Sequence, residues 1–176
     1  GYSGVGKSSL VNEVHKPITQ KRGHFVAGKY DQYQRSIPYS AITSAFNQLC
    51  DYLLKEPADQ VARWRTQILQ AVGNSGQVLI EVIPELAKLI GEQPPVPEVH
   101  PQAAQNRFNI VLQNFIQVVS HQDYPLVLFI DDLQWADLPS LEMLKVLMTD
   151  AQSRYLLVIG AYRDNEVHPA HPLVMT

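Results

Sequence analysis

Two kinds of apolar segment alternate along the chain: short unbroken runs, and longer stretches with apolar residues three and four apart. Phe25-Val26-Ala27-Gly28, Leu126–Ile130 and Tyr155–Ala161 are unbroken runs that give way to polar groups. Runs of this kind suit parallel strands buried on both faces. Between the first two, Ile42, Ala45, Phe46, Leu49 and Leu53 mark an amphipathic helix over about 39–55, and Pro57 restarts the chain in another helix through about Val72. Gly73-Asn74-Ser75-Gly76 reads as a turn, 77–90 as a helical stretch broken near Pro84, and Pro94-Pro95-Val96-Pro97 as an extended connector. Pro101 opens the best-patterned helix, whose face carries Phe108, Val111, Leu112, Phe115, Ile116 and Val119. Asp137 is placed to cap a helix over 138–150. At the other end of the chain, a glycine-rich loop over 1–9 leads into a helix from Ser8 to about Arg22, with Leu10, Val11 and Val14 as its apolar face. Strands alternating with helices predict an α/β domain with a mainly parallel sheet.

Length and charge narrow this picture. The 176 residues are enough for one domain that buries roughly 70% of its unfolded surface. The longest apolar runs fall far short of the ~20 residues a membrane helix needs, so no membrane span is expected. Fourteen basic and seventeen acidic residues give a net charge of −3. The basic residues are scattered, without the positive face of a nucleic-acid binder, which argues against such a partner. Cys50 stands alone, so no internal disulfide or multi-cysteine metal site forms, and a reducing, cytoplasmic setting fits. Cys50, Trp64 and the helix-face phenylalanines read as core, and His168-Pro169-Ala170-His171 as a surface turn.

Gly1-Tyr2-Ser3-Gly4-Val5-Gly6-Lys7-Ser8 has the Walker A spacing, a glycine and four residues before Gly-Lys-Ser. Its glycines let backbone amides close around phosphate oxygens beside a helix N-terminus. The candidate nucleotide-binding residues are therefore Gly1, Ser3, Gly4, Val5, Gly6, Lys7, Ser8 and Ser9. Lys7 supplies charge to the terminal phosphates and the Ser8 hydroxyl suits Mg²⁺. The run Leu126–Ile130 ends in Asp131-Asp132, the form of a Walker B strand. Asp131 would hold Mg²⁺ directly or through water, and Asp132 would orient or deprotonate an attacking water. Arg163, after the third run, stands where a γ-phosphate sensor would. Asn165 competes for that role, and a surface arginine paired with Asp164 or Glu166 accounts for the same residues equally well. No Asn-Lys-x-Asp string that would read guanine occurs.

With these motifs the chain resembles the AAA-type ATPases of the STAND class, the origin-recognition-like ATPase modules of large bacterial signalling proteins. Gly1–Ser9, Phe129–Asp137 and Ile159–Asp164 carry the resemblance, and Asp131-Asp132-Leu133-Gln134-Trp135-Ala136-Asp137 is its most specific part. The stretch from Phe25 to Tyr39 is similar to the corresponding region of multi-domain serine/threonine and histidine kinases. The resemblance implies a P-loop NTPase fold, a three-layer sandwich, with ATP and Mg²⁺ as ligands and a helical insertion over about 39–121. It places the Walker B strand at 126–132 and the sensor strand at 155–163. It implies a module whose ATP and ADP states are read by signalling domains in the same chain, with ATP-dependent oligomerisation as one outcome. A transcriptional or origin-type regulator is the alternative parent. The family's first and fifth strands have no counterpart within 1–176, so the chain reads as part of a longer protein, with its three strands side by side in chain order. Asp132 stands where hydrolytic members typically carry glutamate, which keeps a non-hydrolysing, nucleotide-binding scaffold in view.

Overall fold

The structure, a computed structural model, describes residues 22–33 and 37–175. The glycine-rich loop and the body of the helix expected after it, with the eight residues assigned to nucleotide binding, lie outside the described residues.

Three strands form one parallel sheet: β1 (His24–Lys29), β2 (Leu126–Asp131) and β3 (Leu156–Gly160) in the order β1-β2-β3. This is the expected order. The register sets His24 opposite Leu126 and Lys29 opposite Asp131, while Leu126 faces Leu156 and Ile130 faces Gly160. Leu126, Leu128 and Ile130 are sealed on one face of β2 and Val127 on the other, as an unbroken apolar run requires of a central parallel strand.

Between β1 and β2 the chain is helical, as the periodicity predicts: α1 (Ser40–Leu54), α2 (Ala58–Val72), α3 (Gly76–Ile80), α4 (Leu86–Ile90) and α5 (Pro101–Val119). The break near Pro84 separates α3 from α4, and the proline-rich segment before α5 has no regular secondary structure. After β2 come a 3₁₀ turn at Leu133–Trp135 and α6 (Leu138–Thr149), then β3, a second 3₁₀ turn at Asp164–Glu166 and the short α7 (Pro172–Met175).

Helix α1 lies along β1, and its face Ile42, Ala45, Phe46, Leu49 and Leu53 is fully buried. Each of the four larger side chains contributes about 1.5–3 kcal/mol relative to exposure. Their closeness depends on Gly28, where a Cβ would collide with the Ala41 carbonyl. Helix α2 packs on α4 and α5, so the helical region joins the same core as the sheet. Cys50 and Trp64 are buried within it, as expected. Burial pushes the Cys50 thiol up to about 12, ahead of smaller effects from Asp51 and Glu85, which suits an inert core cysteine. Asp137 caps α6 as predicted: its Oδ1 accepts from the Ser140 amide at 2.9 Å and its Oδ2 from the Ser140 hydroxyl at 2.6 Å. The same Oδ2 accepts from the Tyr39 amide at 3.2 Å, tying the entry of α1 to the entry of α6. No helix among the described residues is long and apolar enough to cross a membrane.

Candidate functional site

Parallel strands point their C-terminal ends the same way, so whatever follows each apolar run shares one mouth of the sheet. Lys29 closes β1, Asp131 closes β2 with Asp132 directly after it, and Arg163 follows β3. The loop after β2 is fastened to β3 by the main chain: the Ala161 amide donates to the Ile130 carbonyl at 2.8 Å and the Leu133 amide to the Ala161 carbonyl at 3.0 Å. Gly160 permits this approach, because a Cβ there would meet the Leu133 side chain.

Asp132 turns the chain out of the strand. Its backbone is left-handed, φ 55° and ψ 42°, a conformation that costs a non-glycine residue about 1–3 kcal/mol unless its surroundings impose it. Here they do: its amide donates to Asp131 Oδ1 at 2.9 Å and its carbonyl accepts from the Trp135 amide at 3.0 Å. The residue is only 2% exposed. Its Oδ1 accepts from Gln134 Nε2 at 3.0 Å and lies 3.5 Å from Arg163 Nε, and its Oδ2 lies 3.4 Å from Lys29 Nζ. Burial pushes the carboxyl up. The hydrogen bonds from Gln134 and Lys29 and the charges of Lys29 and Arg163 outweigh burial and hold it below the usual carboxylate range. Asp132 is therefore an ionised carboxylate at neutral pH, with both oxygens engaged.

Arg163 is spread over three partners. Besides Asp132 it pairs through Nη1 with Glu166 Oε1 at 3.0 Å, and its guanidinium carbon lies 5.3 Å from the Trp135 ring centroid. The surface pair with Glu166 that the sequence allowed is formed, and the same side chain also reaches Asp132. Asn165, the competing sensor, is exposed in the turn 164–166.

Of the residues singled out in the sequence, Asp131, Asp132 and Arg163 come together, whereas Gly1, Ser3, Gly4, Val5, Gly6, Lys7, Ser8 and Ser9 lie outside the described residues. Lys29 and Gln134 join this cluster without having stood out as site residues in the sequence. Lys29 carries a usable signal, since it follows the run Phe25–Gly28 as Asp131 follows its own. Gln134, 3% exposed, lies in the most specific string of the sequence, but nothing in its type distinguished it. His171 is likewise more than a surface turn: its Nε2 lies 3.1 Å from the Gln134 carbonyl, and its Nδ1 accepts from the Leu173 amide at 3.1 Å.

The donor set fits a phosphate ligand with Mg²⁺. Two cations and two carboxylates converge where the apolar strands end. Among the described residues no cluster of three or more His, Cys, Asp or Glu could cage a metal, and Mg²⁺ is ordinarily held by one or two protein oxygens together with phosphate and water. A cavity of about 690 Å³ lined by Arg22, Trp64, His121 and Tyr124 lies beside the residues entering β2, at the opposite end of the sheet, and shares no residue with this cluster.

Comparison with known proteins identifies the family. The model of the AAA ATPase domain family matches residues 1–159. The chain is 38% identical over 148 residues to hybrid signal transduction histidine kinase G of Dictyostelium discoideum, an alignment that covers 84% of this chain and 4% of that protein. The chain thus spans about 4% of the length of the curated relative it matches. No solved structure matches it.

Proposed function

The chain belongs to the AAA ATPase domain family, and from that premise we propose that it binds ATP with Mg²⁺ and hydrolyses it, as a switch within a larger signal-transduction protein. The observation that carries this reading is the convergence of Asp131, Asp132 and Arg163 at one end of three parallel strands. Gly1, Ser3, Gly4, Val5, Gly6 and Ser9 would line the phosphates, with Lys7 neutralising their charge. Ser8 and Asp131 would hold Mg²⁺, which when bound withdraws charge from the phosphate oxygens. Asp132, ionised and fixed in place, would take the proton of an attacking water or orient it. Arg163 would face the terminal phosphate, and exchanging Asp132 and Glu166 for that anion gives the β3 end two arrangements, one with ATP and one with ADP. The relative's name, a hybrid histidine kinase, supports attached signalling domains in the same polypeptide as the readers of that change.

A Lys7→Ala variant of the full-length protein should lose ATP binding; unchanged Mg-ATP affinity would remove the phosphate-loop assignment. Asp132→Asn should keep binding and lose hydrolysis by roughly 10²-fold or more. A second reading, in which nucleotide is held without turnover, draws support from the engagement of both Asp132 oxygens. Single-turnover hydrolysis by the wild-type protein separates the two.

A further inference from the structure

Gln134 makes two side-chain bonds in opposite senses. Its Nε2 donates to Asp132 Oδ1 at 3.0 Å, and its Oε1 accepts from the Arg163 main-chain amide at 3.1 Å. The assignment of the amide's two ends follows from its partners, because an ionised carboxylate needs a donor and a backbone N–H needs an acceptor. The residue is buried, so neither bond is replaced cheaply by water. We propose that Gln134 is the positioning residue of this site, a brace that fixes Asp132 relative to Arg163 across the ends of β2 and β3. The proposal rests on the ATPase reading above.

The division of labour on the carboxylate follows from the contacts. Oδ1 is held by the buried Gln134 and by Arg163, whereas Oδ2 has Lys29, whose side chain is 66% exposed and is readily taken up by solvent or by an anion. Gln134 thereby orients the carboxylate so that Oδ2 is the oxygen free to act on water once Lys29 moves. Through Oε1 it also sets where the chain bearing the Arg163 side chain leaves β3. A group that does both must carry a donor and an acceptor on one short planar unit. Glutamate lacks the donor and sets a second anion against Asp132, and methionine lacks both. Neutral histidine keeps one of each on the two ring nitrogens that flank Cε1, as the amide's oxygen and nitrogen flank its carbonyl carbon.

The test compares Gln134→Met, Gln134→Glu and Gln134→His in the full-length protein. Steady-state ATP hydrolysis is measured alongside hydrogen exchange of the peptide containing the Arg163 amide. Methionine and glutamate should lower kcat roughly 10- to 100-fold, the scale of a misplaced reacting group, with the KM for ATP unchanged within about threefold. Histidine should recover most of kcat. Arg163 exchange should quicken in the methionine variant alone of the three, glutamate and histidine both retaining an acceptor, while exchange in β2 stays as in the wild type. The brace is overturned if kcat is unchanged in the methionine variant. It is equally overturned if kcat and KM worsen together with faster exchange in β2 and without recovery by histidine, which is the pattern of a structural residue. Absence of hydrolysis by the wild-type protein would count against the ATPase reading. The exchange result then decides the brace by itself, since it needs no nucleotide: unchanged Arg163 protection in the methionine variant rejects it.

Discussion

Lys29 Nζ lies 3.4 Å from Asp132 Oδ2, although the whole helical region separates the two in the chain. The contact is a product of register: Lys29 sits opposite Asp131, the last residue of β2, so the residue that follows turns its carboxylate toward the lysine. The pair is half solvated, 66% exposed on the lysine side. Its contribution to stability is therefore about 1 kcal/mol at most. Its effect on chemistry should be larger, because it occupies the oxygen that would act on water. Lys29→Met is expected to leave the unfolding midpoint nearly unchanged and to raise single-turnover hydrolysis several-fold; a drop in turnover would show that Lys29 serves the phosphates instead.

Gly28 shows a different kind of constraint. A methyl group at this position would collide with the Ala41 carbonyl, and backbone cannot step aside as a side-chain tip can. Gly28→Ala should force β1 and α1 apart and cost about 1–3 kcal/mol in denaturant unfolding. An unchanged midpoint would mean that the strand and helix separate freely. Because Lys29 is the next residue, the same substitution should also disturb its approach to Asp132.

These two neighbours show what the sequence could and could not disclose. The strands and long helices were legible because buried parallel strands must be continuously apolar and a half-buried helix must repeat every three to four residues. Both signals are local. Asp131 and Asp132 were legible for the same reason, as acids terminating an apolar run within a specific string. Lys29 was half legible: parallel strands bring their ends together, so a cation after the first run belongs with acids after the second. The length of Gln134's reach, the left-handed turn at Asp132 and the His171 contact with the Gln134 carbonyl depend on how the loop after β2 folds onto β3. That relation joins residues distant in sequence and leaves no periodic trace. The tight approach at Gly28 is hidden in the same way, since a glycine ending an apolar run reads simply as a boundary.

His24 gives the fold a pH dependence of its own. Burial lowers its pKa from 6.5, with the Tyr52 and Tyr124 rings stacked beside it at 6.4 and 6.1 Å and Glu56 Oε1 4.0 Å from its Nε2. A base whose folded pKa is depressed stays neutral in the native state while the unfolded chain takes up a proton. Stability from this group is thus complete above 6.5 and declines as pH falls from there toward the folded pKa, with a slope of at most about 1.4 kcal/mol per pH unit. Urea unfolding at pH 7.5 and 5.5 should show the loss, and His24→Gln should shrink it. An identical loss in the variant would assign the effect to other groups.

Trp135 is placed to report what Arg163 does. The guanidinium carbon lies 5.3 Å from the Trp135 ring centroid while the same side chain pairs with Asp132 and Glu166. A terminal phosphate offers a stronger anion than either carboxylate after desolvation, and bidentate recognition suits the guanidinium fork. Reaching it would draw Arg163 off the indole and change the emission of Trp135. The other tryptophan within residues 1–176, Trp64, is fully buried in the core and can be silenced with Trp64→Phe, which keeps an apolar side chain, while a Trp135→Phe control subtracts the emission of any tryptophan elsewhere in the protein. In that background, ATP is expected to change Trp135 emission more than ADP does, and Arg163→Ala should abolish the difference. Arg163→Lys should not restore it, because lysine is a point charge without the planar face that stacks on the ring. Equal responses to ATP and ADP would separate Arg163 from the terminal phosphate and leave it as a structural partner of Asp132 and Glu166.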